Sequence, residues 1–203
     1  MIAIIDYGMG NLGSVKRKLN RIGVDAVITY NPEVIRNSEK LILPGVGHFG
    51  NAIKELKTRG LWDILNKEVL ISKKPILGIC LGMQLMAKKS EEGCIAGFGW
   101  FDAEVIRFQV HNRMKYKIPH MGWNQVIQKK ESLLFNGVEP DQRFYFVHSY
   151  HLKCYNQADV LNETSYEYPF ISAIQKENIY GVQYHPEKSH EAGEQLLKNF
   201  ANI

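Results

Sequence analysis

The stretch PILGICLGMQLM, residues 75–86, joins an apolar strand to a helix through a turn with a cysteine between two glycines. Its first five residues form the apolar run, and Leu81 and Leu85 continue at helical spacing. The sequence GICLG has the form of a nucleophile elbow, with cysteine in place of serine. The flanking glycines leave room for the tight turn that such a nucleophile requires. We therefore predict that Cys80 is a nucleophile on the turn that follows this strand.

The chain before this stretch repeats the same order of strand and helix. A helix is predicted over Asn11–Ile22, and one broken helix or two helices over residues 52–70. Strands are predicted at the apolar runs Ile2–Tyr7, Val24–Tyr30 and Lys40–Leu43, the last stopped by Pro44 and Gly45. Continuous apolar runs are typical of strands buried on both faces. This half therefore predicts an α/β fold with a mostly parallel sheet flanked by helices.

The chain after this stretch has short segments rich in aromatic and β-branched residues, which predict additional, partly antiparallel strands. These segments are Phe101–Phe108, Gln125–Gln128, Arg143–Val147, Tyr150–Cys154, Phe170–Gln175 and Ile179–Tyr184. A closing helix is predicted after Pro186. We find no internal repeat and no linker, so residues 1–203 are expected to form one domain.

Composition argues against several classes of protein. The net charge is +4 with scattered lysines and arginines, so we expect no nucleic-acid partner. The three cysteines form no CxxC pair, which argues against a zinc knuckle or a disulfide framework. No apolar run approaches the roughly 20 residues of a membrane span, and the start does not resemble a signal peptide. We therefore expect a cytoplasmic protein without a membrane partner.

A cysteine nucleophile needs a base and a group that orients the base. His185 follows the predicted strand Ile179–Tyr184, and Glu187 stands two residues further on, across a proline. This combination distinguishes His185 from most of the other histidines, which are interpreted as surface or core residues: His48, His111, His120, His151 and His190. We predict that His185 is the base and Glu187 its orienting acid.

Two glycine-rich turns allow alternative interpretations. The turn PGVG, residues 44–47, is either a plain strand-to-helix turn or a source of amides for an oxyanion. The turn GMGNLG, residues 8–13, formally matches a dinucleotide fingerprint. The second strand, however, ends without the acidic residue of that fingerprint. We favour a tight turn that exposes backbone to a partner.

These motifs occur together, in this order, in a known family. The chain resembles the glutaminase subunits of imidazole glycerol phosphate synthase, which are class I glutamine amidotransferases, over nearly its whole length. The motifs that carry the resemblance are DYGMGNL at 6–12, LPGVGHFG at 43–50, GICLGMQL at 78–85, SEEG at 90–93, PHMGWN at 119–124, YFVHSY at 145–150 and QYHPEKS at 183–189.

The resemblance implies a flavodoxin-like α/β fold with added strands and a role for each matched residue. Cys80, His185 and Glu187 would form the catalytic triad. The amides of Gly47 and Leu81 would hold the oxyanion. The expected glutamine-binding residues are Gln84, Glu92, His148, Ser149 and Tyr150. The expected partner-interface residues are Asn11, Trp123 and Lys188.

The resemblance also implies a reaction and a partner. Glutamine would be hydrolysed to glutamate, and the ammonia would pass to a (β/α)8-barrel cyclase subunit. That subunit would form imidazole glycerol phosphate and an aminoimidazole carboxamide ribonucleotide in histidine biosynthesis. No metal and no organic cofactor are implied for the glutaminase subunit.

Some features also resemble a paralogous branch of these glutaminases. Gly13 stands where family members commonly have a basic residue, and residues 99–108 and 185–200 are similar to that branch. Its members supply ammonia to a sugar amidotransferase for the synthesis of amidino-sugar surface polysaccharides. The identity of the ammonia acceptor therefore stays open at the level of sequence.

Overall fold

A computed structural model describes all 203 residues. The chain forms fourteen strands and six α-helices. Strands and helices alternate in the first half of the chain, whereas the second half is mostly strands followed by a closing helix. The strands are β1 (Ile2–Ile5), β2 (Ala26–Thr29), β3 (Lys40–Gly45), β4 (Ile76–Cys80), β5 (Lys89–Ser90), β6 (Ile95–Ala96), β7 (Ala103–Arg107), β8 (His120–Gln125), β9 (Ile127–Gln128), β10 (Arg143–His148), β11 (Tyr150–Cys154), β12 (Val160–Ser165), β13 (Pro169–Lys176) and β14 (Ile179–Val182). The helices are α1 (Leu12–Arg21), α2 (Pro32–Asn37), α3 (Phe49–Thr58), α4 (Leu61–Asn66), α5 (Leu81–Gln84) and α6 (His190–Asn202).

The main sheet has a parallel half and an antiparallel half. Strands β2, β1, β3, β4 and β14 lie side by side and run parallel. The sheet continues through β13, β11 and β7, which pair antiparallel with their neighbours in that row. Strands β8 and β10 form a separate antiparallel ribbon. The predicted mostly parallel sheet with additional antiparallel strands is confirmed.

The parallel strands are apolar throughout because both of their faces are buried. In β1, Ala3 and Ile5 pack into the core that includes α3 and α4. Ile2 and Ile4 of the same strand pack into the opposite core, which includes α1 and α6. Successive side chains of a strand point to opposite faces, so a strand covered by helices on both sides needs apolar residues at every position.

Several element boundaries differ from those predicted. Strand β3 continues through Pro44 and Gly45, because a proline keeps its carbonyl and an extended φ and is tolerated near a strand end. Residues 52–70 form two helices, α3 and α4, separated at Gly60, whose φ of +68° is left-handed. A π-helical turn over Lys67–Ile71 follows α4.

Two strands lack the sequence pattern that would have predicted them. Strand β8 has the sequence HMGWNQ, which contains a glycine and no β-branched residue. Strand β12 has the sequence VLNETS, in which polar residues fill the second half. Both form because a neighbouring strand provides the hydrogen-bond partners, β10 for β8 and β13 for β12. Pairing with neighbours overrides weak local propensity in such strands.

Candidate active site

Cys80 lies on a strained turn between β4 and α5. Its backbone has φ +55° and ψ −109°, a region that residues with a side chain rarely occupy. A Cβ atom at Gly82 would collide with the carbonyl of Leu43, and one at Gly78 would collide with the amide of Met83. Both glycines are therefore required by close backbone approach. The predicted elbow is present in the structure, although its helix is only four residues long.

Strand β14 places His185 beside this elbow. It pairs in parallel with β4, with Val182 opposite Ile79, and His185 follows three residues later. The amide of His185 donates to the carbonyl of Tyr145 at 2.9 Å, which ties the turn to β10. The side chain is buried, with 2% of the residue exposed. Elements distant in sequence thus bring the imidazole to the end of the strand that carries Cys80.

The imidazole of His185 is held by Glu187. Its Nδ1 lies 2.8 Å from a carboxylate oxygen of Glu187, so Nδ1 donates and the carboxylate accepts. Nε2 is buried and makes no hydrogen bond of good geometry to another protein atom. Burial disfavours a charge on this ring, but the interactions with the Cys80 sulfur and the Glu187 carboxylate outweigh it and raise the pKa of His185 to about 10.

Gln183 contacts the sulfur and was not identified from the sequence. Its side-chain nitrogen lies 3.5 Å from the sulfur of Cys80. Its side-chain oxygen accepts a hydrogen bond of 3.0 Å from Gln84. The same nitrogen of Gln84 also lies 3.0 Å from the carbonyl of Tyr150. The sequence signal for Gln183 is its place two residues before His185, as the first residue of the motif QYHPEKS.

A cavity of about 290 Å³ opens in front of Cys80. It is lined by both predicted oxyanion residues and by every predicted glutamine-binding residue. Three further residues complete its wall and were not predicted individually. The complete lining is Val46, Gly47, Cys80, Leu81, Gln84, Glu92, Pro119, Val147, His148, Ser149 and Tyr150. The sulfur of Cys80 lies 4.0 Å from the carbonyl of Val147, which places the cavity wall against the nucleophile.

The turn after β3 forms the side of the cavity next to the elbow. Gly45 pairs with Cys80 in the sheet, and Gly47 has a φ of +110° that favours glycine. Glu92 anchors the end of this turn, because its carboxylate accepts a hydrogen bond of 2.7 Å from the amide of Phe49. Glu92 therefore has a structural contact as well as a place in the cavity lining.

Two of the three predicted interface residues lie in one exposed aromatic patch. Trp123 stacks on His190, with ring centroids 4.8 Å apart and planes 1° from parallel. Trp123 also contacts Tyr145 edge-on, and the ammonium of Lys188 lies 5.4 Å from the Tyr145 ring. Asn11 is exposed at the start of α1 and makes no capping hydrogen bond with its side chain. The Asn11 side chain makes no hydrogen bond to residues of that patch.

A strained cysteine elbow beside a buried histidine–glutamate pair is the arrangement of a cysteine-dependent acyl-transfer enzyme. Residues 3–203 match the family Glutamine amidotransferase class-I, and the chain belongs to that family. A solved structure titled glutamine amidotransferase superposes with a TM-score of 0.78 at 17% identity, covering 100% of both chains, and shows the fold alone.

The particular relatives share one name. A protein from Methanococcus maripaludis is 52% identical over 200 residues, 98% of each chain, and is named imidazole glycerol phosphate synthase subunit HisH 2. A protein of the same name from Pseudomonas aeruginosa is 44% identical over 203 residues, 100% of each chain. None of the helices is long and apolar enough to cross a bilayer.

Proposed function

We propose that this chain is the glutaminase subunit of an imidazole glycerol phosphate synthase, acting as one domain over residues 1–203. The observation that carries the proposal is the buried His185–Glu187 pair beside the sulfur of Cys80, at the wall of a cavity of about 290 Å³. This volume is close to the lower end for ligand pockets and suits a single amino acid. The full-length relatives named as this subunit support the assignment.

The chemistry follows from the positions of the triad. The sulfur of Cys80 attacks the side-chain amide carbon of glutamine while His185, whose pKa is raised, holds the thiol proton. His185 then donates this proton to the leaving nitrogen, which departs as ammonia and leaves a glutamyl thioester. Water, deprotonated by His185, hydrolyses the thioester to glutamate and frees the thiol. Glu187 holds the ring through Nδ1 and stabilises its positive charge, so Nε2 faces the reaction.

The oxyanion of each tetrahedral intermediate needs donors on the elbow side of the cavity. Helix α5 begins at Leu81, and the first amides of a helix have no intrahelical acceptors. The amide of Leu81 is therefore one proposed donor. The amide of Gly47, on the turn after β3, is the second. Such preorganised donors typically contribute about 3 kcal/mol each to stabilising the transition state.

The remaining lining residues are proposed to bind the rest of glutamine. Glu92 offers a carboxylate, and one of its oxygens is already used by the amide of Phe49. Gln84 offers a side-chain amide that is fixed by Tyr150 and Gln183. The segment His148–Tyr150 offers backbone groups along the opposite wall. A zwitterionic amino acid would find both an anionic group and amide groups in this cavity.

The ammonia acceptor is proposed to be a (β/α)8-barrel cyclase subunit that forms imidazole glycerol phosphate. The interface would include Asn11, Trp123 and Lys188. The last two lie in the exposed aromatic patch, beside the turn that carries His185 and Glu187. Aromatic residues that are partly exposed and rigidly stacked are typical anchors of protein interfaces. The proposed subunit then releases ammonia next to the surface that the partner covers.

The test uses the complex of this chain with the cyclase subunit of the same organism. We expect Cys80→Ala to reduce glutamine-dependent synthesis by about 10⁴-fold or more, because the nucleophile is lost. Synthesis from added ammonium salt should be unchanged, because the partner chemistry does not use Cys80. Cys94→Ala is the matched control, because Cys94 is an exposed free thiol outside the cavity lining.

Two outcomes would contradict the proposal. Loss of the ammonium-dependent reaction in Cys80→Ala would show that the division of labour between the subunits is wrong. Failure of the parent complex to turn over the phosphoribulosyl substrate with glutamine would exclude the histidine pathway. Capture of a sugar amidotransferase with this chain would then support the paralogous branch.

A further inference from the structure

Two buried histidines form a hydrogen-bonded pair behind the cavity wall. Nδ1 of His120 lies 3.0 Å from Nε2 of His148, and Nδ1 of His148 lies 2.7 Å from the carbonyl of Tyr150. Both residues are buried, with 3% and 6% exposed. His148 and Tyr150 line the cavity in front of Cys80, whereas His120 does not. The His120 side chain therefore reaches the site through its hydrogen bond to His148.

The hydrogen-bond partners fix the tautomer of each ring. A carbonyl only accepts, so His148 carries its proton on Nδ1. Burial lowers the pKa of both rings, that of His120 to about 4, so both are neutral at pH 7. Nε2 of His148 is then an acceptor, and His120 must donate from Nδ1. Nε2 of His120 is left to accept from the side-chain amide of Asn124 at 3.4 Å.

These contacts form a directed chain that ends on the backbone carbonyl of Tyr150, a residue of the cavity wall. Each member donates to the next, from Asn124 through His120 and His148 to the carbonyl of Tyr150. Gln84 donates to the same carbonyl from the other side. A carbonyl that accepts from two fixed donors has little freedom to rotate. The peptide plane that contains this carbonyl, between Tyr150 and His151, is fixed with it.

The surroundings make a purely space-filling role for the pair costly. The rings of Phe108, Phe146 and Phe170 pack around the two histidines. An imidazole buried among such rings loses its hydration, a cost that an apolar side chain would avoid. The hydrogen bonds offset this cost only in one geometry, so the pair specifies the position of the wall as well as filling space.

The ribbon of β8 and β10 sets the pair in register. His120 lies directly opposite His148, and Met121 lies opposite Val147. Alternation along the strands places the histidines on the buried face of the ribbon, whereas Met121 and Trp123 are exposed at 61% and 43% on the other. One thin element therefore has the predicted partner surface on one face and the support of the cavity wall on the other.

We infer that His120 is a positioning residue that, through His148, holds the Tyr150 carbonyl and the segment His148–Tyr150 in the geometry that binds glutamine. The inference rests on the proposed function for its effect on glutamine, but the hydrogen-bond chain itself does not. Loss of this hydrogen-bond chain leaves the triad intact and loosens the wall. The expected effect is therefore on the KM for glutamine and not on kcat.

Two substitutions separate positioning from packing. His120→Leu removes the donor and keeps an apolar side chain, whereas His120→Asn places a side-chain amide near the position of Nδ1. In the complex with the cyclase, His120→Leu should raise the KM for glutamine about 10-fold with kcat changed less than 3-fold. His120→Asn should stay within 3-fold of the parent in both. His111→Leu is the control, because the His111 side chain is 96% exposed.

Nitrogen-15 spectra of the imidazoles test the chain without any activity. In the parent, His120 and His148 should both carry the proton on Nδ1, with a scalar coupling across the N–H···N bond between them. His148 should keep this tautomer in His120→Asn. A proton on Nε2 of either ring would overturn the inference, even if His120→Leu fails to fold.

The outcomes distinguish the two proposals. If the parent complex does not hydrolyse glutamine, the proposed function fails, and the spectra alone decide the hydrogen-bond chain. If the parent is active and His120→Leu has an unchanged KM, the positioning role fails and the proposed function stands. An equal rise of KM in His120→Asn and His120→Leu would show that packing, not the donated hydrogen bond, positions the wall.

Discussion

The two sides of the active-site cavity are built in different ways. On one side, the elbow at residues 78–82 and the pair His185–Glu187 are each made by residues close together in the sequence. On the other, the wall at residues 147–150 depends on contacts from Gln84 and His120, which lie 66 and 28 residues from the wall residues they contact. The elbow and the His185–Glu187 pair are therefore each encoded locally, and the pairing of β14 with β4 brings them together, whereas the binding surface itself depends on contacts between distant strands.

The largest expected effect comes from removing the Glu187 charge on the locally encoded side of the cavity. Glu187→Gln keeps the shape but removes the carboxylate that accepts from Nδ1 of His185. We expect kcat of the glutamine-dependent reaction to fall by about 10³ to 10⁴-fold, because the ring loses its orientation and the stabilisation of its charge. Synthesis from ammonium salt in the same complex should not change. A fall of less than 10-fold would show that Glu187 does not orient the base.

The next largest effect comes from crowding the backbone of the elbow on the same side. Gly82→Ala places a Cβ against the carbonyl of Leu43, and neither backbone can yield without moving β3 or α5. We expect the free energy of unfolding in urea to fall by about 3 kcal/mol. Gly13→Ala in α1 is the control and should be neutral or stabilising by up to about 1 kcal/mol, because it replaces a helical glycine. Similar values for the two variants would show that the elbow is not sterically constrained.

An intermediate effect concerns the wall and depends on pH. Burial lowers the pKa of His120 to about 4, below the value near 6.5 of an unfolded histidine. Between pH 6.5 and 4, His120 therefore binds a proton in the unfolded chain but not in the native chain. The resulting contribution to the free energy of unfolding is complete above pH 6.5 and is lost as pH falls towards 4. We expect a contribution of about 2 kcal/mol to the loss of stability between pH 7 and 4.5. Urea titrations should show a smaller loss in His120→Asn, and equal losses would contradict the assignment.

The smallest expected effect is the difference between removing the hydroxyl of Tyr7 and removing that of Tyr168. The hydroxyl of Tyr7, packed against Gly45 beside the elbow, is buried and has no hydrogen-bond partner. Tyr7→Phe should leave the free energy of unfolding unchanged or raise it by up to about 1 kcal/mol, because no hydrogen bond is lost. Tyr168→Phe should lower it by about 1 kcal/mol, because the Tyr168 hydroxyl lies 3.1 Å from His151 and accepts from the amide of Gln109. The reverse order, measured by urea denaturation, would contradict this contrast.

The amino-acid sequence by itself determined the locally encoded features of this protein. The elbow around Cys80 was predictable because its backbone requires glycines at fixed spacing, and the parallel strands because burial on both faces requires continuous apolar runs. His185 and Glu187 were predictable as a pair because only two positions separate them. The tertiary structure alone decided the contact of Gln183 with Cys80, the pairing of β8 with β10 and the hydrogen bond between His120 and His148. These contacts depend on strand order and register, which hydrogen bonds between distant segments set and which local sequence patterns do not encode.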